Sequence, residues 1–259
     1  NLYVKRDSIN GLLAMCLIYV DDLLISGKTD KLTKALLAEI GEELPLGAAE
    51  GPAFGQQEFA FCGYELNVSD TTIRVHQESY VSAKVNESMA ASLRALKGPV
   101  TEQTGKPASR ANRLLTPEET LVFRKCLGAA MWIGRTIAEV AEELSELASA
   151  MQVPTVADAL RLAAMIDFVH ENRKSLGVVL RSLTPEGKDQ KDLSPAVFVY
   201  ADGSLQNRGS KTQGGHLIGA GFLSENGDAP KVCNPQGWQS SAIKRVCTST
   251  FDGETLSLL

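Results

Sequence analysis

The sequence predicts an α+β chain, on three observations. Apolar runs with strand character open the chain and return near its end. Helical spacing of apolar residues fills the middle. The two kinds of segment are grouped rather than alternating, which excludes a regular βαβ array. The 259 residues are 44% hydrophobic, 22% charged and 6% aromatic, with 22 Gly and 10 Pro. That composition excludes disordered, collagen-like and disulfide-scaffold chains.

The first segment, 1–75, reads mainly as strands: Leu2–Lys5, a turn over Arg6–Gly11, the apolar run Leu12–Val20, then Leu23–Ser26 returning after Asp21 and Asp22. Thr29 caps a helix to about Leu44, with Leu32, Leu36, Leu37 and Ile40 on one face, and Pro45 and the glycines up to Gly55 end it. Glu58–Val68 and Thr72–Val75 read as a hairpin turning at Ser69-Asp70.

The second segment, 76–195, is helical to about residue 182. Tyr80–Leu96 has helical spacing, and 98–112 is polar. Thr116-Pro117-Glu118-Glu119 supplies a cap, a first-turn proline and a glutamate at the third helical position. Ile137, Val140, Leu144, Leu147 and Met151 share one face; Thr155 and Asp158 start a further helix with Leu160, Ala164 and Phe168 as its core stripe. Leu183–Pro195 reads as a linker. The third segment, 196–259, returns to strands at Ala196–Tyr200, Gly214–Leu223 and Ile243–Val246, followed by a helix capped by Thr250 and carrying Glu254.

Lys plus Arg number 26 against 31 Asp plus Glu, a net charge of −5, so any polyanion must be met by a local groove rather than an overall field. The longest apolar run, Gly11–Val20, is half a membrane span, and the residues before it lack the basic, small-residue-terminated pattern of a leader, so no signal peptide is expected. Cys16, Cys62, Cys126, Cys233 and Cys247 are odd in number and form no CxxC pair. The expectation is an intracellular, reduced protein with no membrane contact, no structural zinc and no disulfide-linked partner.

Two constellations carry chemistry. In Tyr19-Val20-Asp21-Asp22 the aspartates lie between two apolar strands. A plain turn is one reading, but Asp-Asp is a poor two-residue turn, and adjacent like charges repel unless cations neutralise them. The second is Tyr200-Ala201-Asp202-Gly203-Ser204 with Glu254, a carboxylate at a strand end and another in a helix's first turn. His76, His170 and His216 have no spaced partner and are assigned to neither metal nor catalysis. Asp252 reads as a helix N-terminal charge, and Trp132 and Trp238 as core residues. The Lys97, Lys106, Arg110, Arg113 cluster reads as a solvated loop, with phosphate contact as the rival reading.

MCLIYVDDLLISG (15–27), preceded by LYVKR (2–6) and followed by FCGYEL (61–66), resembles the palm of copia-type retrotransposon reverse transcriptases. IRVHQESYVSAKV (73–85) is similar to that family's passage into the thumb. KCLGAAMWIGRTIAEVAEELSELASAM (125–151) resembles the helices that follow, although the usual Thr-Arg-Pro-Asp is here Arg135-Thr136-Ile137-Ala138. KTQGGHLIGAG (211–221) and CTSTFDGETLSLL (247–259) resemble the start of the attached ribonuclease H domain.

The resemblance implies part of a reverse-transcriptase palm (1–75), a helical thumb and connection (76–195) and part of a ribonuclease H-like domain (196–259). It implies Asp21 and Asp22 as polymerase metal ligands and Asp202 and Glu254 as nuclease metal ligands. Phe61, Gly63 and Tyr64 would then belong to a primer-positioning hairpin. The implied cofactor is Mg²⁺, two ions per complete site, and the implied partners are an RNA/DNA template–primer hybrid and deoxynucleoside triphosphates. Two divalent ions about 4 Å apart repel by roughly 4 kcal/mol in water and about 16 at an effective dielectric of 20. Two carboxylates offset only part of that, and the family's third aspartate lies far upstream of the pair. Here the sole upstream candidate is Asp7, in a turn context, so the chain alone is expected to be inactive as polymerase and nuclease. Two other readings stay open: a non-catalytic nucleic-acid-binding remnant, and an unrelated soluble α+β enzyme whose turns imitate these motifs.

Overall fold

The computed structural model describes residues 1–9, 11–97, 112–183, 194–208, 211–223, 233–243 and 257. Helices and antiparallel sheets make up two compact units, Asn1–His76 and Gln77–Leu259, and α+β is the class observed.

In the first unit β1 (Leu2–Arg6), β2 (Leu12–Tyr19) and β3 (Asp22–Gly27) form an antiparallel sheet in that order. The β1–β2 turn is held by Asp7, whose Oδ1 accepts from the amides of Ile9 (2.9 Å) and Gly11 (2.7 Å). Its carboxylate thus organises its own loop.

α1 (Asp30–Glu43) starts at Thr29, whose hydroxyl accepts from the Leu32 amide at 3.3 Å. It lies close to β3 because residue 27 is glycine: a Cβ there would sit 2.6 Å from Thr33 Oγ1. Strand register puts Leu2, Leu17 and Leu24 in one row and Val4 and Met15 in the next. Leu2, Val4, Met15 and Leu17 are all exposed.

The stretch expected as one strand over 58–68 is two. β4 (Glu58–Phe61) turns at Cys62-Gly63 into β5 (Tyr64–Val68), which pairs with β6 (Thr72–His76). Cys62 and Gly63 both have positive φ, 52° and 78°. Glycine meets that demand without steric cost.

The second unit holds nearly all of the buried core. Phe123, Leu127, Leu147, Leu162 and Ile166 are among its fully buried side chains, whereas Ala14 is the sole buried hydrophobic residue described in the first unit. The single helix expected over 80–96 is broken into α2 (Glu78–Lys84) and α3 (Glu87–Arg94), because Asn86 caps the second by accepting from the Met89 amide at 3.3 Å.

α4 (Pro117–Ile133) and α6 (Val156–Asn172) both begin with reciprocal capping boxes, Thr116 with Glu119 and Thr155 with Asp158. The Leu115 amide donates to Pro154 O and the Val156 amide to Arg113 O, both at 2.9 Å, binding the two helix starts together. A 3₁₀ turn, Ala138–Val140, leads into α5 (Ala141–Ala150).

The phase expected for α6 is corrected. Leu160, Ala164 and Phe168 are exposed, and the core-facing residues are Val156, Ala159, Leu162, Ala163, Ile166 and Val169. The helix is apolar on several faces, so two stripes of similar strength compete, and packing against its neighbours decides between them.

β8 (Pro195–Arg208), β9 (Lys211–Phe222) and β10 (Asn234–Ala242) form a second antiparallel meander. β10 is not expected from the sequence, since Pro235, Gly237 and its paired serines carry little strand signal; the expected strand Ile243–Val246 lies, apart from Ile243, outside the described residues. β7 (Val178–Arg181) is tied to β10 by Asn234, which bonds both backbone groups of Arg181 at 2.8 Å. Gln213 Nε2 donates to Ser145 Oγ of α5 (3.1 Å) and Ser240 Oγ of β10 (2.8 Å), and Trp238 Nε1 donates to Gly134 O (3.1 Å). The sheet is thereby fastened to the helices.

Candidate functional site

The chemistry of the first unit gathers where two hairpin tips meet. β2 and β3 close through the Tyr19–Asp22 pair, so the turn residues are Val20 and Asp21, not the two aspartates. Val20 has φ 55° and is the only one of the two with positive φ. That sign pattern belongs to a type II′ turn, whose first central position favours glycine. A β-branched residue there is strained, by about 1–3 kcal/mol. Val20 is 86% exposed, so no burial of its side chain offsets the strain. Asp21 is displayed on the turn and Asp22 opens β3; Tyr19, Val20, Asp21 and Asp22 are all exposed.

The Cys62–Gly63 turn of the second hairpin touches this tip. The Cys62 amide donates to Asp22 Oδ2 at 3.1 Å, across 40 residues of chain. Phe61 and Tyr64 form the closing pair of that hairpin and are half-buried; Gly63 is exposed. Burial pushes the Cys62 thiol up from its ordinary value, and a side-chain hydrogen bond to Asp22 with the charges of Asp22 and Asp21 pushes it the same way. The thiol therefore stays protonated beside the carboxylates.

Position 62 carries the contact that sequence reasoning missed. A two-residue x-Gly step between Phe61 and Tyr64 was the available hairpin signal, hidden because Cys stands where Asn or Asp is usual.

In the second unit β8 runs through residue 202 rather than ending there, because the glycine-rich β9 pairs with it at Asp202–Gly215 and Gly203–Gly214. Asp202 is exposed in mid-strand, its Oδ1 accepting from the Gly203 amide at 2.9 Å, and Val197 and Val199 of the same strand are exposed rather than buried. Glu254 and Asp252 lie outside the described residues, as do Lys106 and Arg110. Trp132 is half-buried under the Arg135 guanidinium, 5.0 Å from the ring centre.

No family model matches the chain, and no curated protein matches it.

The donor set at the first tip is two carboxylates on adjacent residues. Such oxygen donors suit Mg²⁺, which is held through one or two carboxylates with phosphate oxygens and water completing the shell. Among the described residues no group of three His, Cys, Asp or Glu side chains converges to hold a metal. No described helix is long and apolar enough to cross a membrane.

Proposed function

We propose that this chain carries the metal-binding hairpin, the primer-facing hairpin and the thumb-like helices of a copia-type retrotransposon reverse transcriptase, followed by the opening strands of its ribonuclease H domain. The parent activities are RNA-directed DNA synthesis and cleavage of the RNA strand, inside the cell. The observation that supports the reading is the contact of two hairpin tips: an exposed Val20-Asp21 turn, strained at Val20, whose flanking Asp22 is hydrogen-bonded to the turn of FCGYEL.

In this role Asp21 and Asp22 hold Mg²⁺, which when bound lowers the pKa of an attacking 3′-hydroxyl and neutralises charge developing on the phosphate. Phe61, Gly63 and Tyr64 flank the place where a primer end would lie. Asp202 and Glu254 are the corresponding nuclease ligands. The third polymerase carboxylate is not gathered among the described residues, Asp7 being engaged with its own loop. On this reading the chain alone is expected to be inactive, which the extension assay below checks.

Titration of the purified chain with Mn²⁺, followed by broadening of backbone amide resonances, tests the metal role. Broadening centred on Asp21 and Asp22, lost in Asp21→Asn/Asp22→Asn, is expected. A primer-extension assay on an RNA template with Mg²⁺ should give background only. Absence of any Mn²⁺ effect at the pair overturns the reading, and robust extension overturns the claim of inactivity. Salt-sensitive binding of a primer–template hybrid that is indifferent to both aspartates would favour a non-catalytic remnant instead.

A further inference from the structure

The geometry points to Cys62 as a positioning residue for the Asp22 carboxylate: its backbone amide holds Oδ2, so that the second hairpin sets how Asp22 is presented to a cation. This inference rests on the cation reading of the Asp21-Asp22 pair. It goes beyond it by assigning the hairpin a task at the metal rather than at the primer.

The argument is one of freedom removed. Asp22 lies at the mouth of a two-residue turn and is exposed; without a partner its carboxylate rotates freely and presents either oxygen. The 3.1 Å bond from the Cys62 amide fixes it, and a charge-assisted bond of this kind is stronger than a neutral one. The amide is aimed by the backbone of the turn, since Cys62 at φ 52° and Gly63 at φ 78° reverse the chain within two residues. What the amide contact needs at position 62 is an N–H group and tolerance of left-handed backbone; the thiol adds a hydrogen bond of its own to the same carboxylate. Asparagine meets both needs, and proline meets neither.

Two measurements on the full chain test this. The first is amide hydrogen exchange at Cys62. In Asp22→Ala the Cys62 amide should exchange about tenfold faster than in the wild type. In Asp22→Asn, which keeps an acceptor oxygen, most of the protection should remain. The second is Mn²⁺ affinity. Cys62→Pro should weaken it by about tenfold, and Cys62→Asn should leave it at the wild-type value, a rescue that a merely structural cysteine would not give.

Should Cys62→Pro unfold the hairpin, the exchange comparison still decides. Unchanged Cys62 exchange in Asp22→Ala, or unchanged Mn²⁺ affinity in a folded Cys62→Pro, overturns the positioning role and leaves the cation reading standing. Asp22-dependent exchange with no Mn²⁺ effect anywhere overturns the cation reading, and the positioning role with it.

Discussion

Val20 holds a left-handed backbone that a valine side chain resists, and it does so fully exposed. Nothing in the packing rewards valine here, so Val20→Gly should raise stability by about 1 kcal/mol, read as a higher urea midpoint with unchanged slope. A lower midpoint would mean the turn is not strained as described. The turn was partly legible in the sequence. Asp-Asp between apolar strands marked the place, but which two residues form the turn depends on the Tyr19–Asp22 pairing, and sequence does not fix register to one residue. Asp7 was legible in full, because an aspartate two and four residues ahead of free amides is a common way to close a loop.

Helix starts were the best-read elements, since the capping boxes at Thr116 and Thr155 are local chemistry that the surrounding fold need not supply. Thr116→Ala or Thr155→Ala should each cost about 1 kcal/mol, measured by thermal or urea unfolding. Helix phase was read worst. In α6, Leu162→Ala removes a side chain with no exposure and should cost about 2–5 kcal/mol. Leu160→Ala, at 40% exposure, should cost well under half as much. Equal losses would restore the stripe through Leu160.

Between α5 and α6 one guanidinium serves two acids: Arg161 Nη2 lies 2.6 Å from both Glu143 and Glu146. Burial pushes Glu146 above its ordinary 4.5 and outweighs the pull of Arg161, while Glu143 and Glu142 add to the rise. Burial first, and then the two neighbouring acids, is why a close ion pair does not lower this carboxyl. A carboxyl raised on folding stabilises the fold while protonated, so its contribution is complete below about pH 4.5 and fades as pH climbs through the higher folded value. Glu146→Gln should flatten that part of the stability–pH curve; an unchanged curve would assign the pH dependence to other groups.

On the scale of the molecule, burial is lopsided. The helices of the second unit hold almost every fully buried side chain, and the first unit presents Leu2, Val4, Met15 and Leu17 to solvent. Amide exchange should therefore be slowest in α4 and α6 and fast in β1, with protection differing by orders of magnitude. Uniform protection would contradict this distribution. The α+β class was legible from segment grouping, because period-two and period-3.6 patterns differ over many residues. Contacts between distant segments, such as Cys62 with Asp22 or Gln213 with Ser145, were not, since one side chain and its partner leave no periodic trace.

Gln213 also bears on how the second unit comes apart. A single amide joins a helix to two strands of the meander, and Trp238 adds a second tie at Gly134. Gln213→Ala combined with Trp238→Phe should consequently loosen the meander from the helices, read as faster amide exchange in β9 and β10 with α6 unchanged.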